Sequence, residues 1–395
     1  MKILFYGLLT VALASSAVSQ ERQKLWPDGA PGAKGLEAID QPFMDVYLPD
    51  AQDANGCGVV IFPGGGYGGL AADHEGHQIA RYFNDFGVAA FVVYYRLGSN
   101  GYHHPTQIND ARRAIRSVRA NAKEFGVDPQ RIGSMGFSAG GHLCSMTGTM
   151  FDSGMPNAVD PVERSSSRPD FLVLCYPVIS LSTEYAHGGT RRNLFGENVD
   201  PESYQVRLVS TELQIKADTP PTFLFHTGED PVVPVENSVL FYLGLRKHGI
   251  PAEMHIYQKG PHGVGLMPGD PILETWGGHL RGWLSTNQFL GKGKRVPVSG
   301  TVMLNSTPVS WGSVSFYPEG KWLPITTLRV RNGKFRATEK DGPIAGLSRV
   351  EFYGSIYEAT KDPRHGTVSV SHPSLVEISP DAKLEFSYTA PSDES

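Results

Sequence analysis

A serine framed by small residues, Gly136-Phe137-Ser138-Ala139-Gly140, constrains this chain more than any other segment. It stands between a short strand-like run, Arg131 to Met135, and a helix-like stretch, His142 to Thr149. A Gly-x-Ser-x-Gly turn reverses the chain sharply from strand to helix, because side chains at its two glycines would collide with the turn. The hydroxyl is then held up at a helix N-terminus. There the helix dipole favours developing negative charge, and the Ala139 N–H points at a substrate oxygen.

The flanking sequence predicts the sheet that such a turn needs. Short apolar, β-branched runs at Gly58 to Phe62, Ala89 to Tyr95, Arg131 to Met135, Phe171 to Tyr176, Thr222 to His226 and Ala252 to Tyr257 alternate with amphipathic stretches. That alternation argues for an α/β fold, a mostly parallel sheet with helices on both faces. Ile108, Ala111, Ile115, Val118 and Ala122 recur at helical spacing, which turns Arg112, Arg113, Arg116 and Arg119 outward as a solvated face. At 395 residues and 40% hydrophobic content, the chain has length for two domains and apolar residues for a buried core. A different regime follows the polar linker Gly291-Lys292-Gly293-Lys294-Arg295. Short strand-like runs at Val296 to Leu304, Ser313 to Tyr317, Leu328 to Val330, Val350 to Tyr353, Val368 to Val370 and Leu384 to Tyr388 are punctuated by Gly, Pro and Asn, the pattern of an all-β sandwich. The boundary falls near Gly293, between a domain at 20–292 and a smaller one at 296–390.

An activated serine needs a base, a group to orient that base, and donors for an oxyanion. Phe62-Pro63-Gly64-Gly65-Gly66-Tyr67 puts consecutive glycines just after the first run, where backbone approaches a ligand closely. The N–H groups of Gly65 and Gly66, with that of Ala139, form the expected oxyanion hole. Asp230, in Thr227-Gly228-Glu229-Asp230-Pro231, follows the fifth run and is the orienting acid; Glu229 competes, and helix capping near Pro234 is the plainer role for Asp230. Gly260-Pro261-His262-Gly263 follows the sixth run and presents His262 as general base. The order Ser, Asp, His along an alternating α/β chain ties the pieces together. Tyr67, Phe137 and Trp276 are candidate pocket walls, and the segments Met150 to Ser167 and Ser182 to Ile215 are expected over the site.

Other titratable residues carry less. His74-Glu75-Gly76-His77 lacks the His-Glu-x-x-His spacing and any third metal ligand, so its histidines read as structural or pocket-rim residues. His103, His104 and His142 have no partner that sequence identifies, and Glu37, Asp40, Asp270 and Glu274 read as surface carboxylates. Cys57, Cys144 and Cys175 lie in or beside apolar runs and are expected as buried thiols, outside any disulfide framework or metal site. A net charge of −5 offers no basic surface for nucleic acid. Lys2, the apolar stretch Ile3 to Ala14, and Ser15, Ser16, Ala17 and Ser19 read as a signal peptide over 1–19, which predicts a secreted or periplasmic protein. The apolar run is shorter than the roughly 20 residues that cross a bilayer, so no stable membrane anchor is expected.

With these pieces placed, Trp26 to Leu290 resembles the α/β-hydrolase superfamily, in particular secreted bacterial acetyl-esterase and xylan-esterase-like members. The resemblance rests on Phe62-Pro63-Gly64-Gly65-Gly66, Tyr95-Arg96, Gly136 to His142, Pro220-Pro221-Thr222-Phe223, the Asp230 segment and Gly260-Pro261-His262-Gly263. Related lipases carry His before the glycines, where Pro63 stands here; the oxyanion donors are backbone groups, so that departure bears on how the loop is anchored. Val296 to Tyr388 resembles the transthyretin-like or carboxypeptidase-regulatory-like sandwiches appended to secreted enzymes. The resemblance implies a serine carboxylesterase acting on short acyl esters, acetyl groups on a polysaccharide such as xylan, with no metal or organic cofactor. Two rivals are a serine exopeptidase of the prolyl-oligopeptidase kind and a non-catalytic carbohydrate-binding protein presenting Trp311, Phe316, Tyr317 and Trp322.

Overall fold

The computed structural model describes residues 20–291, 293–319, 323–356, 367–372, 374–380 and 382–389. The expected signal peptide and Trp322 lie outside the described residues. In the first 290 residues, β1 (Gln20–Lys24), β2 (Phe43–Tyr47), β3 (Gly58–Phe62), β4 (Ala89–Tyr94), β5 (Ile132–Phe137), β6 (Leu172–Cys175), β7 (Thr222–Thr227) and β8 (Ala252–Tyr257) form one eight-stranded sheet. Its order is β1-β2-β4-β3-β5-β6-β7-β8, parallel from β4 through β8, with β1 and β2 antiparallel at one edge. The six predicted runs become β3 to β8 within two residues at either end. The edge pair is missed by the sequence reading because Gln20–Lys24 carries no apolar residue and Phe43–Tyr47 interrupts its apolar residues with Asp45.

Among the described residues seven α-helices pack around this sheet: α1 (Gln78–Asn84), α2 (Thr106–Ala120), α3 (Ser138–Thr149), α4 (Gly188–Phe195), α5 (Tyr204–Val209), α6 (Glu236–Lys247) and α7 (Thr275–Thr286). Side chains alternate across a strand, so the sheet builds one core on each face. Val60 and Phe91 join Ile108, Ile115, Leu143 and Phe241 on one side; Val59 and Val92 join Ile79, Phe83, Trp276 and Leu280 on the other. The chain runs from β3 outward to β4, then crosses back to β5 on the other flank of β3. Ligands of open α/β sheets bind where the strand order reverses in this way, outside the carboxyl ends of the two strands.

The arginine face of α2 is not solvated. Arg113 donates to Asp160 and Glu163 at 2.6 and 2.8 Å, Arg116 pairs with Asp152 and Glu163, Arg119 with Asp170, and Arg112 donates to the Met150 carbonyl. The segment Met150 to Ser167 supplies most of these partners, so it covers α2 and does not fold over the candidate site. It follows the far end of α3, about 18 Å from Ser138 at 1.5 Å per residue. Periodicity marked these arginines as off the apolar stripe; it carries no information on what a later segment lays across them.

Asp40 is also buried and accepts from the Tyr102 hydroxyl, whereas Glu37 and Glu274 are exposed. Inside the fold, Arg96 donates to both carboxylate oxygens of Asp110, at 3.0 Å from Nε and 2.6 Å from Nη2, and both side chains are almost fully buried. Replacing Asp110 by asparagine leaves the guanidinium charge uncompensated away from water, which costs about 3–5 kcal/mol. A urea titration of Asp110→Asn is expected to show that loss as a lowered midpoint.

The second domain contains β9 (Val298–Leu304), β10 (Thr307–Pro308), β11 (Trp311–Pro318), β12 (Thr326–Arg331), β13 (Lys334–Ala337), β14 (Gly346–Ser355), β15 (Thr367–Ser371), β16 (Val376–Ile378) and β17 (Ala382–Tyr388). Their pairings link them in a single nine-stranded, mainly antiparallel sheet, with β17 parallel to β9. Alternate residues point inward: Val314 and Phe316 of β11, Val350 and Phe352 of β14, and Phe386 and Tyr388 of β17 share a third core, which starts at Val296 while the first two end by Leu290. Phe316 is therefore a core residue and is not presented to a sugar. Trp311 packs on Tyr353, and the Arg349 guanidinium lies 4.1 Å over the ring of Tyr317. No helix among the described residues is long and apolar enough to cross a membrane.

Candidate active site

β5 delivers Ser138 to the reversal point of the sheet. Ser138 has φ 52°, a left-handed conformation that costs a non-glycine residue energy and is held only by its surroundings. A Cβ on Gly136 would lie 2.1 Å from the Gly140 carbonyl oxygen, and one on Gly140 would lie 2.1 Å from that of Phe62. The two glycines thus let the turn close on itself and let α3 press against the end of β3. In the adjacent register Phe62 lies opposite Gly136, which places the Gly64–Gly66 loop beside the first turn of α3.

Three side chains from three strand ends meet here. His262, in the loop after β8, lies with Nε2 2.8 Å from Ser138 Oγ and Nδ1 2.7 Å from Asp230 Oδ2, in the loop after β7. The arrangement is self-consistent: Nδ1–H donates to the carboxylate, so Nε2 is free to accept from the serine hydroxyl. The Asp230 side chain has no exposed surface and that of His262 is 15% exposed. Asp230 divides its labour between oxygens. Oδ1 accepts the N–H groups of Val232 and Val233 at 2.8 and 2.9 Å, while Oδ2 faces His262 and, at 3.4 Å, His226 Nε2. Burial pushes this carboxyl upward, but the hydrogen bonds from His226, His262 and the two amides outweigh it and hold it well below the usual carboxylate range. The capping-type role and the histidine contact therefore coexist in one residue, and Glu229 is exposed.

The loop after β3 has Gly65 at φ 125° and Gly66 at φ 63°, values suited to glycine. Among the described residues neither N–H has a hydrogen-bond acceptor. The Asn193 side-chain amide donates to the Gly66 carbonyl at 2.8 Å, and the Tyr95 hydroxyl donates to the Pro63 carbonyl at 2.6 Å. Those bonds anchor the loop that begins with proline rather than histidine. Part of the Ser182 to Ile215 segment does reach this loop. Besides Asn193, His187 stands 4.0 Å from where a Gly66 Cβ would lie.

The candidate wall residues are corrected by burial. Tyr67 is wholly buried, its ring edge-on to Tyr95 and its hydroxyl 2.9 Å from His142 Nδ1. Trp276 is equally buried, stacked on Phe225 with its indole N–H donating to the Gly265 carbonyl, and Phe137 is in the core. His142 donates from Nε2 to the Val209 carbonyl at 2.7 Å, and burial pulls its pKa down to about 4, so it sits neutral between α3, the glycine loop and α5. His77 bridges the hydroxyls of Tyr47 and Tyr94 at 2.6 and 3.0 Å, a structural role. The three cysteines are free and buried. His187, Asn193, Glu75 and Tyr176 are site residues that the sequence reading misses. Glu75 had a signal, a carboxylate in the first helical turn after the glycine loop.

Comparison with known proteins adds kinship. The sequence profile of the BD-FAE family matches residues 44–245. An endo-1,4-β-xylanase B of Butyrivibrio fibrisolvens is 36% identical over 239 residues, 60% of this chain and 36% of that protein. An acetylxylan esterase of Xylanibacter ruminicola is 32% identical over 267 residues, 67% of this chain and 50% of that protein. The chain thus spans at most half the length of these two relatives. The solved structure of an acetyl ester-xyloside bifunctional hydrolase from Caldicellulosiruptor lactoaceticus is 42% identical, with a TM-score of 0.65 over 70% of this chain and 100% of that one.

Proposed function

The chain belongs to the BD-FAE family of α/β hydrolases, and from that premise we propose that it is a serine carboxylesterase cleaving short acyl esters, acetyl groups on xylan or a related polysaccharide. One observation carries the reading: the unbroken line of hydrogen bonds from Ser138 Oγ through His262 to Asp230, at 2.8 and 2.7 Å. In the first step Ser138 Oγ attacks the ester carbonyl carbon while His262 Nε2 takes the hydroxyl proton. The carbonyl oxygen becomes an oxyanion facing the N–H groups of Gly65, Gly66 and Ala139. His262 then gives its proton to the departing sugar oxygen, leaving an acyl-serine. Water attacks that ester by the same relay and releases acetate.

The substrate class is supported by kinship with the acetylxylan esterase and the acetyl ester-xyloside hydrolase. Export to the periplasm or medium is supported by the residues at 1–19, and it would bring the enzyme to polymeric substrate. The second domain is proposed as a transthyretin-like appendage. The purified chain is expected to release acetate from acetylated xylan and from p-nitrophenyl acetate. Aminoacyl and Xaa-Pro anilides are expected to remain intact. Efficient anilide cleavage with inert acetyl esters would overturn the reading in favour of an exopeptidase.

A further inference from the structure

Glu75 is 2% exposed and lies on a π-helical turn, Asp73–His77, between the glycine loop and α1. A carboxylate this deep is costly unless donors compensate it. Two do. Oε2 accepts the Gly64 N–H at 2.8 Å, one residue before the proposed oxyanion donors, and Oε1 accepts the Tyr176 hydroxyl at 2.9 Å. The Tyr176 oxygen in turn accepts the Gly265 N–H at 2.9 Å, in the loop that carries His262, and its ring lies 5.1 Å from the imidazole. Tyr176 itself is held at φ 36°, strained for a bulky residue. The carboxylate, the Phe137 carbonyl and the nucleophile all crowd the place where a Gly64 side chain would stand. A Cβ there would lie 2.6 Å from Glu75 Oε2 and 2.9 Å from Ser138 Cβ. One side chain thus ties the loop after β3 to the loop after β8, beneath the serine.

We propose that Glu75 is a positioning residue for acyl transfer: its carboxylate fixes the oxyanion loop and, through Tyr176, the His262 loop, and its charge favours the imidazolium that His262 becomes as Ser138 attacks. The proposal rests on the esterase reading. The titratable groups facing Glu75 are His74, with Nε2 3.9 Å away, His262, the hydroxyls of Tyr176 and Tyr95, and the Cys175 thiol. Burial raises the Glu75 carboxyl above its ordinary range, and the Gly64 and Tyr176 hydrogen bonds, with His74 and His262, offset only part of that rise. His262 is the member of that set placed to exchange a proton with substrate.

The test compares the full-length protein with Glu75→Gln, which keeps the shape and removes the charge, and Tyr176→Phe, which keeps the charge and cuts the tie. p-Nitrophenyl acetate kinetics are followed across the pH range in which histidine titrates. Glu75→Gln is expected to lower kcat roughly 10- to 100-fold with little change in KM. Its acid limb of kcat/KM is expected at lower pH, since a neutral neighbour makes the imidazole easier to deprotonate. Tyr176→Phe is expected to lower kcat with the acid limb unmoved, and it decides the matter should Glu75→Gln not fold. Wild-type kcat and an unmoved acid limb in folded Glu75→Gln, or wild-type kcat in Tyr176→Phe, would overturn the proposal while the esterase reading stands. An inert wild-type protein would overturn both.

Discussion

Ser138→Ala is expected to lower kcat for an acetyl ester roughly a millionfold, to the level that binding and oxyanion donors alone sustain. The expectation follows from the geometry of one atom. Ser138 Oγ is the single group of the site that stands both at a left-handed turn above the helix N-terminus and 2.8 Å from an imidazole nitrogen. Deleting it removes the atom proposed to form the acyl-enzyme. The Gly65, Gly66 and Ala139 amides stay in place, so substrate affinity should change little. The fold should also survive, because the lost hydrogen bond is part-buried and worth about 1 kcal/mol. Labelling with a fluorophosphonate, read by mass spectrometry, should modify Ser138 in the wild type and nothing in the variant. A variant retaining a percent-level rate would place the nucleophile elsewhere.

Asp230→Asn is expected to cost about 10⁴-fold in kcat while leaving the loop intact. Asparagine keeps an oxygen for the Val232 and Val233 amides, which Asp230 now satisfies at 2.8 and 2.9 Å. The other position becomes an amide nitrogen facing His262 Nδ1. Two donors cannot share that contact, so the imidazole moves its proton to Nε2 and offers Ser138 a donor where it needs an acceptor. Stability should respond with a definite sign. The Asp230 carboxyl is held below its unfolded value of about 3.9, so its contribution is complete above that pH and fades as pH falls further. The stability gap between wild type and Asp230→Asn, measured by urea unfolding, should therefore be widest near neutrality and narrow in acid. A variant within tenfold of wild-type kcat would show that His262 is oriented by something else.

The inner parallel strands β3 to β7 are legible in the sequence because a strand covered on both faces is mainly apolar, as at 58–62, 89–94 and 222–227, whereas β8 at the sheet edge is half-exposed and carries Glu253 and His255 among its apolar residues. The turns that hold Ser138, Asp230 and His262 are legible for a related reason: each follows one of these strands, and Gly and Pro specify where the backbone can bend. The polar edge strand Gln20–Lys24 leaves no such trace, since its ladder partner Phe43–Tyr47 supplies the apolar side chains for both.

Periodicity and turn chemistry are local properties, so the chain alone determined the α/β alternation, the all-β second half, and the residues that stand at the strand ends. What each buried polar group would meet was decided only by tertiary structure. Arg113 found Asp160 and Glu163 some fifty residues on, Tyr67 turned inward to His142, and Glu75 reached Tyr176 across about a hundred positions. The physical reason is that a buried donor or acceptor must be paired, yet its own neighbours along the chain do not name the partner; only the sheet order that brings distant loops to one edge does so.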